Sequence, residues 1–124
     1  MTTVLVVDDD PAQQLLFSLL LNRTGFDTVT AQSAFEALNI LAYDNRFDVV
    51  LTDLRMPMMS GVDFAREVQH QFPNLPVVLM SVRPEAHWDD DMPMLGVAFL
   101  QKPFNRDQLL YAMRYAMGQN QALC

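Results

Sequence analysis

The sequence predicts an α/β fold in which five parallel strands form one doubly wound sheet with helices on both faces. Short apolar runs without a polar break, such as Val49–Leu51, are typical of strands that are buried on both sides of a parallel sheet. Segments with apolar residues at helical spacing alternate with these runs, which favours repeated strand–helix units. The chain has 124 residues, of which 51% are hydrophobic, and this suffices for one domain with a substantial core.

The first strand and the first helix are predicted from a single apolar run and its flanking residues. Residues 3–7 predict a buried strand. Pro11 suits the first position of a helix, so Asp10 is the predicted N-cap, and Gly25 follows the expected end of the helix at Thr24. The apolar face of this helix is predicted to comprise Leu15, Leu16, Leu19 and Leu20.

The next two units repeat this pattern. A strand is predicted near 28–31, and Ser33 with Glu36 forms a capping box for a second helix. Residues 48–52 predict the third strand, since they continue an apolar run up to a carboxylate. The third helix is predicted to begin near Gly61 and to use Phe64, Ala65, Val68 and Phe72.

The remaining part of the chain is less regular. Residues 77–80 predict a fourth strand, and 97–100 predict a fifth. Between them, Pro84 could open a helix that Pro93 would break, so the fourth helix is predicted to be short or irregular. A last helix is predicted to end near Met117.

Charge and composition exclude several classes of function. Asp and Glu number 15 against 8 Lys and Arg, and the net charge of −7 argues against binding of nucleic acid or anionic membranes. No apolar stretch reaches the ~18 residues that a membrane span needs, and no signal peptide is recognisable. The single cysteine, Cys124, predicts a reducing, cytoplasmic setting. We expect residues 1–124 to form one domain, in which 118–124 are a frayed tail or the start of a linker.

Polar residues stand at the predicted carboxyl ends of four strands. These residues are Asp8, Asp9, Asp53, Ser81 and Lys102. The carboxyl ends of parallel strands share one edge of the sheet, where α/β proteins usually bind ligands. Three carboxylates there form a hard oxygen site that suits Mg²⁺. A carboxylate can act as a nucleophile toward phosphorus while an ammonium and a hydroxyl stabilise the transferring group, so the pattern predicts phosphoryl transfer centred on Asp53.

Four sequence blocks resemble a known family. They are Val7-Asp8-Asp9-Asp10-Pro11, Thr52-Asp53-Leu54-Arg55-Met56-Pro57 with Ser60-Gly61, Leu79-Met80-Ser81, and Lys102-Pro103-Phe104. The chain resembles the receiver domain of bacterial two-component response regulators, because all four blocks occur in that family's order and at about its spacings. The resemblance implies a flavodoxin-like (βα)5 fold and phosphorelay signalling. It also implies that the domain catalyses only its own aspartyl phosphorylation and dephosphorylation.

The resemblance implies a role for each residue of the predicted site. Asp53 would accept a phosphoryl group from a histidine kinase or a phosphotransfer protein. Asp9 and Asp53 would bind Mg²⁺ together with the backbone carbonyl of Arg55, and Asp8 would hold a metal-bound water. Lys102 would contact the phosphoryl group.

The resemblance also implies a switch and its surroundings. Ser81 would move to hydrogen-bond the phosphoryl group, Phe99 would turn inward on activation, and the bond before Pro103 would be cis. The face made by the fourth helix, the fifth strand and the last helix would pass the signal on, and a homodimer would use that same face. Val82 replaces a residue that is usually small and is expected to narrow access to the phosphoacceptor, while Arg83 flanks the site.

Three alternatives compete with a working receiver. A Mg²⁺-dependent phosphatase of the haloacid-dehalogenase type needs a second acid two residues after its nucleophile, where this chain has Arg55. A flavodoxin-like cofactor binder needs a Ser/Thr/Gly-rich phosphate loop, where this chain has three consecutive carboxylates. A degenerate receiver, which folds without being phosphorylated, stays open because of Val82 and the unusual fourth helix.

Overall fold

The computed structural model describes residues 2–82 and 97–122, with side chains through residue 118. The strands are β1 (Thr3–Val7), β2 (Asp27–Ala31), β3 (Val49–Asp53), β4 (Val77–Ser81) and β5 (Val97–Gln101). The helices are α1 (Pro11–Arg23), α2 (Ala34–Tyr43), α3 (Gly61–Gln71) and α4 (Arg106–Ala122). All neighbouring strands are parallel, and their order is β2-β1-β3-β4-β5. The predicted five-stranded parallel sheet is therefore confirmed.

Two apolar clusters cover the two faces of the sheet. On one face, α2 and α3 contribute Ala37, Phe64 and Val68 to the first cluster. On the other face, α1 and α4 contribute Phe17 and Met113 to the second cluster. Because successive side chains of a strand point to opposite faces, the central strands bury nearly every residue between these two helical layers. The sheet is thus doubly wound, as the sequence predicts.

The helix boundaries follow from local capping. The side chains of Asp10, Ser33 and Ser60 begin α1, α2 and α3 by accepting backbone N–H groups of the first turn. After α1 the chain turns through Gly25, whose φ of 94° lies in the left-handed region that a glycine enters without steric cost. These local signals position the loops at both ends of each helix.

The apolar face predicted for α1 is wrong. The exposed leucines are Leu15 (62%), Leu16 (57%) and Leu19 (50%). The residues that bury α1 are instead Phe17 and Leu21, with Leu20 partly buried. Leucine and phenylalanine occur nearly all round this helix, so their spacing alone could not identify the side that meets the sheet.

The last helix is longer than predicted. It continues to Ala122, past the expected end at Met117 and through residues that were predicted as a frayed tail. A glycine in a helix costs only about 1 kcal/mol, and the residues after Gly118 include good helix formers and no proline. The predicted fourth helix falls in residues 83–96, which lie outside the described residues.

Candidate functional site

Polar side chains line the edge of the sheet at which the strands end. Asp53 and Ser81 are the last residues of β3 and β4. Asp8 and Asp9 directly follow β1, and Lys102 directly follows β5. The parallel register aligns these strand ends, so residues that are far apart in sequence meet at one rim.

Three carboxylates form a cluster at this rim. One oxygen from each of Asp8, Asp9 and Asp53 lies within 4.8 Å of the other two. The Asp8 side chain is 1% exposed, whereas Asp53 is partly buried and Asp9 is exposed. Burial raises the pKa of Asp8 above its ordinary value of 3.8, against the lowering effect of the Asp10 N–H group and Lys102, and the charges of Asp53 and Asp9 add to the rise.

The two oxygens of Asp8 differ in their partners. Oδ1 accepts the backbone N–H of Asp10 at 2.9 Å. Oδ2 is buried and has no hydrogen-bond partner within residues 2–82 and 97–122. A buried carboxylate oxygen in this position is costly unless a cation satisfies it. The orphaned oxygen and the all-oxygen donor set both fit a hard divalent ion such as Mg²⁺.

Lys102 points its ammonium group into this cluster. Its Nζ lies 3.7 Å from Asp53 Oδ2 and 4.0 Å from Asp8 Oδ2. The Nζ also donates a hydrogen bond to Gln13 Oε1 at 3.4 Å, and the backbone N–H of Lys102 donates to the carbonyl of Ser81 at 2.7 Å. The peptide bond between Lys102 and Pro103 is cis, as the resemblance implies. The cation therefore stands between the two least exposed carboxylates of the cluster.

The loop between β1 and α1 is held to the neighbouring strand by Gln14. Its Nε2 donates to the carbonyl of Asp8 at 2.6 Å and to that of Ala31 at 3.3 Å. The backbone N–H of Asp8 also donates to the carbonyl of Ala31 at 3.1 Å. These bonds give the backbone that carries the first two carboxylates a defined position at the end of β2.

The loop between β3 and α3 is equally constrained. The N–H of Leu54 donates to the carbonyl of Met80 at 2.8 Å, and the N–H of Gly61 donates to the carbonyl of Leu54 at 2.7 Å. A Cβ atom at Gly61 would overlap the carbonyl of Asp53 and would lie 2.7 Å from Cα of Leu54. Only glycine permits this close approach, which brings the start of α3 against the backbone of Asp53.

The other predicted site residues occupy more varied positions. Ser81 is buried at the rim, and Phe99 is partly buried and packs on the α2–α3 side of the sheet. Val82 is 69% exposed and Arg55 is exposed, while Arg83 lies outside the described residues.

Sequence reasoning did not place Gln13 or Gln14 at the site, and it did not predict the close approach at Gly61. Two polar residues in the first turns of a leucine-rich helix could have signalled a contact with the site.

Comparisons with known proteins agree with this geometry. A receiver protein from Clostridium thermocellum aligns over 100% of both chains, with a TM-score of 0.84 and 27% identity. The chemotaxis protein CheY4 of Vibrio cholerae gives a TM-score of 0.84 at 29% identity, over 94% of this chain and 98% of the other. Fold and rim thus define an α/β signalling domain of the CheY-like class. The chain belongs to the response regulator receiver domain family, whose model matches residues 4–114.

The relatives that share this domain are proteins of different kinds. The transcriptional regulatory protein GlrR of Escherichia coli is 35% identical over 94% of this chain and 26% of its own length. KdpE of Mycobacterium tuberculosis, also a transcriptional regulatory protein, is 35% identical over 98% of this chain and 54% of its length. The sensor kinase/phosphatase LuxN of Vibrio campbellii is 30% identical over 94% of this chain and 13% of its length. The chain spans about half the length of these relatives or less.

The described helices also bear on membrane insertion. Within residues 2–82 and 97–122, no helix combines the length and the apolar character that crossing a bilayer requires.

Proposed function

We propose that Asp53 accepts a phosphoryl group, with Mg²⁺, from a histidine kinase or a phosphotransfer protein. The observation that carries the proposal is the position of Lys102, whose Nζ lies 3.7 Å from Asp53 Oδ2 at the open edge of the sheet. A structure of the regulator TrrA from Thermotoga maritima in complex with Mg²⁺ and BeF aligns with a TM-score of 0.82 at 28% identity, over 94% of this chain and 99% of that one. That relative supports the same ligand class here.

In the proposed reaction an oxygen of Asp53 attacks phosphorus. The new P–O bond replaces the P–N bond of a phosphohistidine, whose electron pair stays on the leaving imidazole nitrogen. Lys102 offsets negative charge on the transferring group, and the hydroxyl of Ser81 donates a hydrogen bond to one of its oxygens. Water then attacks phosphorus, which breaks the bond between phosphorus and the Asp53 oxygen, restores the carboxylate and releases inorganic phosphate. The domain thus promotes only its own phosphorylation and dephosphorylation.

Asp9, Asp53 and the backbone carbonyl of Arg55 would hold Mg²⁺ directly, and Asp8 would hold it through a bound water. When bound, the ion would neutralise carboxylate charge and polarise the phosphoryl oxygens. The buried Oδ2 of Asp8 supports this assignment, since it has no hydrogen-bond partner among the described residues and only a 4.0 Å ion pair with Lys102. The exposed position of Asp9 leaves a path for the ion from solvent.

We propose that a kinase docks on the exposed leucines of α1, which are Leu15, Leu16 and Leu19. This helix begins at the rim, where Gln13 contacts Lys102. A helical partner that covers these leucines would therefore carry its phosphohistidine toward Asp53. Three neighbouring exposed leucines support a docking surface at this helix, because contiguous exposed apolar patches often mark interaction sites.

A different part of the surface would transmit activation. Ser81 and Phe99 are the proposed switch residues, and the surface of β5 and α4 is the proposed output or homodimer face. Val82 and Arg83 flank the acceptor, and Val82→Ala is expected to speed phosphoryl transfer if Val82 narrows access. A cytoplasmic setting agrees with this chemistry, because kinases and reduced thiols are found there.

The test is phosphorylation with acetyl phosphate and Mg²⁺, followed by intact mass. We expect one phosphoryl adduct that disappears with EDTA and in Asp53→Asn. Asp27→Asn is the matched control, since Asp27 is an exposed aspartate at the start of β2, away from the rim. An adduct that persists in Asp53→Asn would contradict the assignment. Mg²⁺-dependent thermal stabilisation without an adduct would favour a site that small donors cannot enter. The absence of both an adduct and a Mg²⁺ effect would favour the degenerate receiver.

A further inference from the structure

Lys102 has an acceptor in addition to the acidic residues. Its Nζ is 3.4 Å from Gln13 Oε1, which is shorter than its distances to Asp53 (3.7 Å) and Asp8 (4.0 Å). The two carboxylate contacts are ion pairs, whereas the contact with the amide oxygen meets hydrogen-bond geometry. Among the described residues, Gln13 is the one side chain that accepts a hydrogen bond from this ammonium.

The inner face of α1 surrounds the lysine further. Phe17 follows Gln13 by one helical turn, so both side chains lie on the same face of α1. The ring centroid of Phe17 is 5.7 Å from Nζ of Lys102, within the range of a cation–π contact. Phe17 in turn stacks on Phe104, with ring centroids 5.6 Å apart. Lys102 is thus contacted from α1 by the amide of Gln13 and the ring of Phe17, which lie 85 or more positions earlier in the chain.

We propose that Gln13 is a positioning residue, which holds the ammonium of Lys102 toward Asp53 and thereby sets the rate of phosphoryl transfer. The lysine side chain has many rotamers, and a fixed acceptor lowers the entropy that is lost when it meets the phosphoryl group. A neutral amide suits this task, because it orients the cation without cancelling its charge. A carboxylate in the same place would compete with the phosphoryl oxygens. The proposal rests on the proposed function of Asp53.

The first experiment measures the contact itself, without phosphorylation. Lys102 is the sole lysine of the chain, so isotope-labelled lysine gives a single set of side-chain NMR signals. We expect Gln13→Met, which keeps the length of the side chain but removes the acceptor, to shift the Cε signal and increase its mobility. Gln71→Met, at the exposed end of α3, is the matched control and should leave the signal unchanged. Identical lysine signals in the parent and Gln13→Met would overturn the proposal.

The second experiment measures the rate of phosphorylation by acetyl phosphate over a range of donor concentrations. Gln13→Met is expected to lower the maximal rate about tenfold, the typical effect of losing a hydrogen bond to a charged group, with little change in the donor concentration at half-maximal rate. Gln13→Glu retains an acceptor, so it should restore the order of the lysine and give an intermediate rate. An unchanged rate in both variants would overturn the positioning role.

The two experiments separate this inference from the proposed function. If the parent protein is not phosphorylated but Gln13→Met still shifts the lysine signal, then the contact stands and the proposed function fails. If the parent is phosphorylated and neither the signal nor the rate responds to Gln13→Met, then only the positioning role fails. Thermal unfolding of each variant shows whether the fold is intact, and Gln13→Glu provides the comparison if Gln13→Met unfolds.

Discussion

Helices α1 and α3 pack on opposite faces of the same sheet and use their apolar residues differently. In α3, Phe64, Ala65 and Val68 are fully buried. In α1, Phe17 and Leu21 are buried while three leucines remain at least half exposed. The apolar pattern of α3 is therefore explained by folding. Helix α1, in contrast, has more apolar residues than it buries in the core.

The difference supports the docking surface proposed on α1. The first turns of α1 also contact the site, through Gln14 on the Asp8 backbone and Gln13 on Lys102. The start of α3 contacts the site through backbone alone, at Gly61. Helix α1 thus joins the rim to an exposed apolar surface, and α3 anchors the end of β3 to the core.

The largest expected effect is on the core side of this comparison. Phe64→Ala should lower the free energy of unfolding by about 3–5 kcal/mol, because it removes a fully buried ring from the α2–α3 cluster. Leu19→Ala on α1 should change it by less than about 0.5 kcal/mol. Urea unfolding measures both values. Equal losses would show that the leucines of α1 contribute to the core after all.

A smaller loss is expected at the start of α3. Gly61→Ala places a methyl group against the carbonyl of Asp53, and we expect it to cost about 1–3 kcal/mol and to slow phosphorylation of Asp53. Gly118→Ala in α4 is the control, since nothing lies within 4 Å of its added Cβ. That change should stabilise the helix by up to about 1 kcal/mol. The steric argument would be refuted if Gly61→Ala changed neither the unfolding curve nor the rate in the acetyl phosphate assay.

The surface side of the comparison predicts a selective defect. Leu16→Ala should slow phosphoryl transfer from a cognate histidine kinase roughly tenfold, because it removes an anchor of the proposed docking surface. Transfer from acetyl phosphate should not change, since the small donor does not need that surface. Phe35→Ala, which truncates an exposed aromatic residue on α2, is the control for general surface effects. Equal slowing with both donors would place the defect in the acceptor site instead.

The smallest expected effect concerns Asp8, because some of its neighbours raise the pKa of its carboxyl group and others lower it. Its pKa is raised in the folded state, mainly by burial, so the folded protein binds this proton more tightly than the unfolded chain does. The resulting stability is complete below the ordinary carboxyl pKa of 3.8 and is lost as the pH rises through the folded pKa. Without Mg²⁺, Asp8→Asn should therefore raise the melting temperature at neutral pH and have less effect in acid.

Added Mg²⁺ sharpens this measurement. The ion should stabilise the parent protein more than Asp8→Asn, because it binds the folded carboxylate cluster and amide ligands bind it less well. Asp27→Asn should respond to Mg²⁺ as the parent does. A melting temperature of Asp8→Asn that stays below that of the parent at neutral pH without Mg²⁺ would contradict the dominance of burial.

The residue pattern was enough to predict the sheet and most of the rim. Uninterrupted apolar runs such as Val49–Leu51 favour strands that are buried on both faces, and a residue that directly follows such a strand is expected where the parallel strands end. The sequence therefore predicts that Asp53, Ser81 and Lys102 lie together. The N-caps at Asp10 and Ser33 could also be predicted from the sequence, because capping depends on residues within one helical turn.

The side of α1 that faces the sheet and the contacts of Lys102 depend on how the layers of the domain pack together. Leucines surround α1, so the buried stripe through Phe17 and Leu21 depends on how the helix sits on its strands. Gln13 and Lys102 are 89 positions apart in the sequence, and no local sequence pattern predicts a contact over that separation. Local chemistry determines strands, caps and strand ends, whereas contacts between layers depend on the packing of the whole domain.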